Sequence, residues 1–235
     1  VITPDSTLPP GEIKVATLNV NVDNPDPSGV LAWIKRENPD IVMLIEANRH
    51  WRSLADQLLE TLPFNRMADN SDRHGMILLS RFPLENAPST RAGPYSLPTP
   101  SVSVEPPTGQ LMVIGVHPNA PTSANDYQAR NLYLAQISAM AQTTGKPTLM
   151  MGDFAAVPWS SGFETIRNLP NLQPDVWKMP ATWPPAAGRF GLPLDNILLT
   201  IPYTSPRGLL IKSLTAGAHV PGTAHLPLVA TISLN

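Results

Sequence analysis

Several short segments of this chain are apolar almost without interruption: "DIVMLIEA" (Asp40 to Ala47), "GMILLS" (Gly75 to Ser80) and "TLMMGD" (Thr148 to Asp153). A strand with one wet face alternates apolar and polar residues, whereas one covered on both faces reads as a continuous apolar run. Such runs require layers outside the sheets. Runs of the same strand length recur in "IKVATLNV" (Ile13 to Val20), "QLMVIGVH" (Gln110 to His117), "LDNILLT" (Leu194 to Thr200), "GLLIKS" (Gly208 to Ser213) and "PLVATISL" (Pro227 to Leu234). Most of the 28 prolines fall between these runs, where they punctuate loops rather than break elements.

Three helical patterns supply the outer layers. "DPSGVLAWIKREN" places Asp26 to cap, Pro27 in the first turn, and Val30, Leu31 and Ile34 on one face before Pro39. "RHWRSLADQLLETL" sets Trp51, Leu54, Leu58 and Leu62 on one stripe. The third runs from near Asn125 to Gly145, with Tyr127, Leu134, Ile137 and Ala141 facing inward. Strands alternate with helices early and cluster late, the pattern of two packed sheets flanked by helices. The segment Asn168 to Pro193 is a long loop in which Trp177 and Trp183 read as packing anchors, although a lid over a site reads the same; loops of this length are usually functional or poorly ordered, and selectivity is expected here.

A chain of 235 residues without internal repeats or a shift in composition reads as residues 1–11 forming an N-terminal arm and 12–235 a single domain. The opening "VITPDSTLPPG" is polar and proline-bearing, like a spacer left by removal of a leader or anchor, although an arbitrary chain boundary reads the same; the expectation it raises is a secreted or extracytoplasmic protein, with an arm able to reach a neighbouring subunit. No apolar run is long enough to span a bilayer. Formal charge is −2, so no global basic field favours long nucleic acid. Cysteine is absent, which excludes disulfides and thiolate metal sites. There is also no Gly-x-Ser-x-Gly elbow, His-Glu-x-x-His helix or phosphate-binding glycine loop with lysine.

Polar residues instead recur at strand ends: Asn19, Asn21, Glu46, Arg81, His117 and Asp153, with Asp195 and His225 just before two other strands. Any one of them alone reads as a strand-end hydrogen bond. Together their types fit one reaction. Glu46 and Asn19 offer hard oxygen ligands suited to Mg²⁺ or Mn²⁺. Asp153 can orient a water, His225 can exchange a proton with Asp195 fixing its tautomer, and His117 and Arg81 can neutralise phosphoryl oxygens. The structural alternative is a buried Glu46 paired to Arg81, with the histidines capping loops.

The order of "VATLNVNVDN", "PDIVMLIEANRHW", "HGMILLSRFPL", "VIGVHPNAP", "MMGDFAAVPWS", "LPLDNILLT" and "GTAHLPLVATISL" resembles the endonuclease/exonuclease/phosphatase superfamily over nearly the whole chain. With Thr182-Trp183-Pro184 it is most similar to bacterial members that follow leader or membrane-spanning sequences. The resemblance implies a four-layer α/β sandwich of two packed mixed β-sheets flanked by helices, acting on a phosphoester substrate. It assigns Asn19 and Glu46 to a metal, Asp153 to the nucleophile, His117 to the scissile phosphate, and Asp195 with His225 to proton transfer.

Four positions depart from the family pattern. Ala155 stands where Gly-Asp-x-Asn places an amide, and Ala224 where Ser-Asp-His places a carboxylate. Asn196 replaces a common histidine, and Asn21 a second acidic ligand in many members. Loss of one preorganised donor costs about 2.7 to 4 kcal/mol of transition-state stabilisation, so the expectation is strongly reduced turnover. Two alternatives stand beside it: an inactive relative serving as a binding or self-assembling protein, and an active enzyme in which the alanines are deliberate substitutions.

Overall fold

The computed structural model describes residues 11–68, 73–85, 90–106, 109–205 and 208–234. The expected arm, apart from Gly11, lies outside them. In chain order the strands are β1 (Glu12–Asn19), β2 (Ile41–Ile45), β3 (Phe64–Ala68), β4 (Met76–Ser80), β5 (Arg91–Ala92), β6 (Leu97–Pro98), β7 (Ser101–Val104), β8 (Leu111–Val116), β9 (Thr148–Asp153), β10 (Asp195–Thr200), β11 (Leu209–Ala216) and β12 (Leu228–Leu234). The α-helices are α1 (Ser28–Glu37), α2 (Arg52–Asp56), α3 (Ala124–Thr143) and α4 (Glu164–Arg167).

A six-stranded sheet runs β11-β12-β1-β2-β4-β3, and a four-stranded sheet runs β10-β9-β8-β7. Both are mixed: β1 pairs with β2 and β8 with β9 in parallel, and the remaining pairs are antiparallel.

The continuous apolar runs divide by period two. Ile41, Met43 and Ile45 of β2 enter one core with Leu149 and Met151 of β9 and Ile197 of β10, the layer between the sheets. Val42 and Leu44 face the other way, toward Trp33 and Ile34 of α1 and Leu54 of α2. On the second sheet, Ile114, Met150 and Leu198 pack with Tyr133, Leu134 and Ile137 of α3. The order is helix, sheet, sheet, helix, as expected for an α/β sandwich.

The helix expectations need small corrections. Asp26 does bind the start of α1, its carboxylate accepting from Ser28 N at 2.9 Å and Ser28 Oγ at 2.8 Å. The second helical pattern resolves into a single 3₁₀ turn (Arg49–Trp51) and the short α2, although Leu58 and Leu62 remain in the core. Tyr127 is 41% exposed rather than inward, and Tyr133 is the buried aromatic of α3. Trp177 and Trp183 are not buried anchors, being 63% and 40% exposed.

Strand direction fixes where chemistry can gather. The C-terminal ends of β1 and β2 lie together because the pair is parallel, as do those of β8 and β9. The N-terminal end of β10 meets the same edge, with Asp195 opposite Asp153. The start of β12 likewise meets the end of β1. Because β4 is antiparallel to β2, its leading residues reach this edge while its last, Ser80, pairs with Ile41 at the far end.

Candidate active site

Asp153 is the centre of the strand-end cluster. Its backbone is delivered by Gly152, whose φ of +138° is outside the range of L side chains and whose added Cβ would lie 2.2 Å from the Val116 carbonyl oxygen. Only glycine lets β9 approach β8 this closely, which explains the Gly-Asp pair. Asp153 Oδ1 accepts from Ala155 N at 2.8 Å. Its Oδ2 accepts from Asn19 Nδ2 at 3.4 Å and faces His117 Nδ1 and His225 Nε2, each at 3.9 Å.

Glu46 directly follows β2 with φ +60°, an unfavourable backbone for a non-glycine residue and a feature that gathers at functional sites. Its Oε1 accepts from Asn19 Nδ2 at 3.1 Å and Oε2 from Val22 N at 3.1 Å. Two carboxylates, Glu46 and Asp153, thus share the single amide of Asn19. The two carboxylates fit a hard divalent cation, which would offset their charge, whereas Asn19 would have to turn its Oδ1 away from Asn21 N to join them. A second grouping joins Asp153, Asp195 and His225, whose ligand atoms lie within 4.8 Å of one another. There Asp195 Oδ2 and His225 Nδ1 already face each other at 2.6 Å, which leaves Asp195 Oδ1 and His225 Nε2 as the atoms a cation would meet beside Asp153. Asp153 belongs to both groupings, with Glu46 and Asn19 on one side and Asp195 and His225 on the other.

The Asp195-His225 pair is buried, 1% and 6% exposed. Burial disfavours charge on the imidazole, but the Asp195 carboxylate at Nδ1, with Asp153 and Glu46 beyond it, outweighs that cost and holds the His225 pKa at about 9. Burial also raises the pKa of Asp195 against the opposing pull of His225. Both shifts describe a pair that retains its shared proton. His117 behaves oppositely: burial lowers its pKa despite Asp153 and Glu46. Its Nε2 meets the Arg73 carbonyl at 3.1 Å, an acceptor only, so Nε2 carries the hydrogen. The neutral ring then turns an unpartnered, buried Nδ1 lone pair toward Asp153.

The remaining expected residues divide. Arg81 is not at the site. It lies at the far end of β4, 2% exposed, donating from Nε to Asp40 Oδ1 at 2.7 Å and from Nη2 to Asn38 Oδ1 at 3.0 Å. Its guanidinium is committed to Asp40, and it is Asp40, not Glu46, that forms the buried pair. Ala155 does line the cleft, in the left-handed region at φ +46°. Its carbonyl accepts from Arg130 Nη1 of α3 at 2.7 Å, which holds that turn in place. Ala224 instead borders a separate small hollow with Pro184, Pro185 and His219. Asn196 is buried on β10, donating to the Leu194 carbonyl at 3.2 Å, with Oδ1 unpartnered. Asn21 sits at φ +64° beside the cluster, its N–H donating to Asn19 Oδ1 at 3.0 Å.

The cleft over this cluster has a volume of about 700 Å³. It also brings in residues that the strand-end pattern does not reveal: Arg73 and His74 before β4, and Trp183 and Leu192 from the long loop. The His74 and His117 rings lie 5.4 Å apart. Thr182 explains why that loop comes here. Its Oγ1 accepts from Asp195 N at 3.1 Å and its carbonyl from Leu226 N at 2.9 Å, linking both members of the proton-holding pair. No helix among the described residues is long and apolar enough to cross a membrane.

Comparison with known proteins is consistent with this geometry. The family model described as "Endonuclease/Exonuclease/phosphatase family" matches residues 16–213. No curated protein sequence matches significantly. Among solved structures, D. rerio TDP2 complexed with a single-strand DNA product superimposes with a TM-score of 0.77 at 13% identity, over 94% of this chain and 99% of that one. An endonuclease/exonuclease/phosphatase from Beutenbergia cavernae gives 0.76 at 17% identity, over 95% and 72%. One from Bacteroides vulgatus gives 0.70 at 19%, over 95% and 99%. At these identities the likeness concerns the fold.

Proposed function

The chain belongs to the endonuclease/exonuclease/phosphatase family, whose members are divalent-metal-dependent phosphoesterases and nucleases, and on that premise we propose that it hydrolyses a phosphoester at the Asp153 cleft with turnover lowered at Ala155 and Ala224. The observation that carries this reading is the convergence of Asn19, His117 and His225 on Asp153 Oδ2, at 3.4, 3.9 and 3.9 Å.

In this reading Asp153 aligns an attacking water, and the neutral His117 accepts a hydrogen bond from it at Nδ1. The water oxygen bonds to phosphorus as the ester P–O bond breaks, the water proton passing to His117 Nδ1 and the departing alkoxide taking a proton from solvent. His225, protonated and held by Asp195, stabilises the charge on the phosphoryl oxygens. Glu46 and Asp153, with Asn19 once its Oδ1 turns inward, would hold Mg²⁺ or Mn²⁺, which would neutralise phosphate charge. Ala155 lacks the amide that would add a donor to the phosphate.

The test is hydrolysis of bis-p-nitrophenyl phosphate by the folded chain with Mg²⁺ or Mn²⁺. Slow, metal-dependent turnover abolished by Asp153→Asn is expected. Turnover at the rate of buffer in folded protein would overturn the reading. That result would favour the second one, a binding protein built on the same scaffold, which the two alanines themselves motivate.

A further inference from the structure

The cleft has walls as distinct as its floor. On one side Trp183 and Leu192 face each other across an isolated β-bridge, with Trp183 N donating to Leu192 O at 3.0 Å and Leu192 N to Trp183 O at 2.6 Å. Thr182, the preceding residue, is fully buried and bonded to the backbone at Asp195 and Leu226. The apolar wall and the Asp195-His225 pair are therefore parts of one hydrogen-bonded unit. Yet Trp183 and Leu192 are 40% and 39% exposed, leaving large apolar side chains open beside a polar site. The turn Pro118 to Pro121 also lines the cleft, and its two prolines carry no N–H to offer a ligand. One buried acceptor, Asn119 Oδ1, lies in it without a partner.

Charge along this cleft is sparse. Arg73 is the only lysine or arginine among the described residues that line it, while Asp126 adds a negative charge on the path away from Glu46 and Asp153. A polynucleotide brings one negative charge per step and needs a basic track. A single guanidinium serves one phosphate. A mostly apolar pocket with a few convergent polar groups is the usual form of a small-molecule site.

We propose that this cleft selects phosphoesters bearing a compact apolar or aromatic alcohol, which packs against the Trp183-Leu192 bridge and the Pro118 to Pro121 turn while Arg73 meets the phosphate oxygens. The proposal rests on the hydrolase reading for the position of the phosphate and adds the chemical class of the group attached to it.

The experiment measures binding to the full chain, with Mg²⁺ present, by titration calorimetry. The probes are phenyl methylphosphonate, dimethyl phosphate and the dinucleotide TpT. The phenyl ester is expected to bind about tenfold tighter than either of the others. Trp183→Ala and, independently, Leu192→Asn are expected to reduce that affinity to the dimethyl phosphate level without changing dimethyl phosphate binding. Arg73→Ala is expected to weaken all three. Equal affinities, tighter binding of TpT, no binding of the phenyl ester, or wild-type preference in both wall variants would overturn the proposal. The expected affinity order without turnover of any phosphoester would sink only the hydrolase reading. Turnover without the preference would sink only the selectivity.

Discussion

Two buried ion pairs, at opposite ends of the same sandwich, show how this chain separates stability from chemistry. In the Arg81-Asp40 pair every facing valence of Asp40 is used: Oδ1 by Arg81 Nε at 2.7 Å, Oδ2 by Lys14 N at 2.8 Å. The Asp195-His225 pair is as short, 2.6 Å, but Asp195 Oδ1 is left buried without a partner and His225 Nε2 is turned toward Asp153. The first pair closes a loop onto a sheet. The second keeps capacity in reserve, as a proton-handling site must.

The largest effect expected from this contrast comes from breaking the closed pair. Arg81→Met leaves the Asp40 carboxylate buried against too few donors and should cost about 3 to 5 kcal/mol in urea unfolding. Metal binding at the other end should be unchanged. A loss of metal affinity equal to that of Glu46→Gln would show that Arg81 does serve the site.

Next in size is the repair of the open end. Ala155→Asn supplies a donor at the cleft lining and should raise phosphodiester turnover by about 2.7 to 4 kcal/mol of barrier, roughly a hundred- to thousand-fold. Adding Ala224→Asp should give less than a second such factor, because residues acting as a unit are non-additive and Ala224 faces a different hollow. A double variant no faster than the parent would place the lesion elsewhere.

The third prediction concerns pH. His225 titrates near 6.5 when unfolded and at about 9 in the fold, so the fold binds the imidazolium more tightly than the unfolded chain does. Its contribution is complete below about pH 6.5 and is lost as pH rises through about 9, worth up to about 3 kcal/mol. Metal-free protein should therefore lose stability across that window, and His225→Gln should flatten the curve. An unchanged slope would mean that another group carries it.

The smallest effect is conformational. Ala155 sits at φ +46°, a region that asparagine enters more readily than alanine. Ala155→Asn should thus gain about 1 kcal/mol of stability irrespective of catalysis. The turn is held by Asp153 and Arg130 in either case, so a loss of stability would show that this anchoring fails.

Periodicity and composition determined the layers of this protein. Continuous apolar runs allowed no exposed sheet face, and they split between cores as a period of two requires. The Gly152-Asp153 signal was legible as well, because the close approach of β9 to β8 admits only glycine there. Strand direction was not legible, since a run such as "GMILLSR" reads the same whichever end meets the site. Tertiary pairing decided that β4 runs antiparallel to β2, which sent Arg81 to the far edge and brought Arg73 and His74 to the cleft. It likewise folded the long loop back through Thr182, because the N–H groups at Asp195 and Leu226 needed acceptors that only a segment distant in sequence could provide. Burial is written residue by residue in the chain, whereas the partner of each hydrogen bond exists only once the sheets have packed.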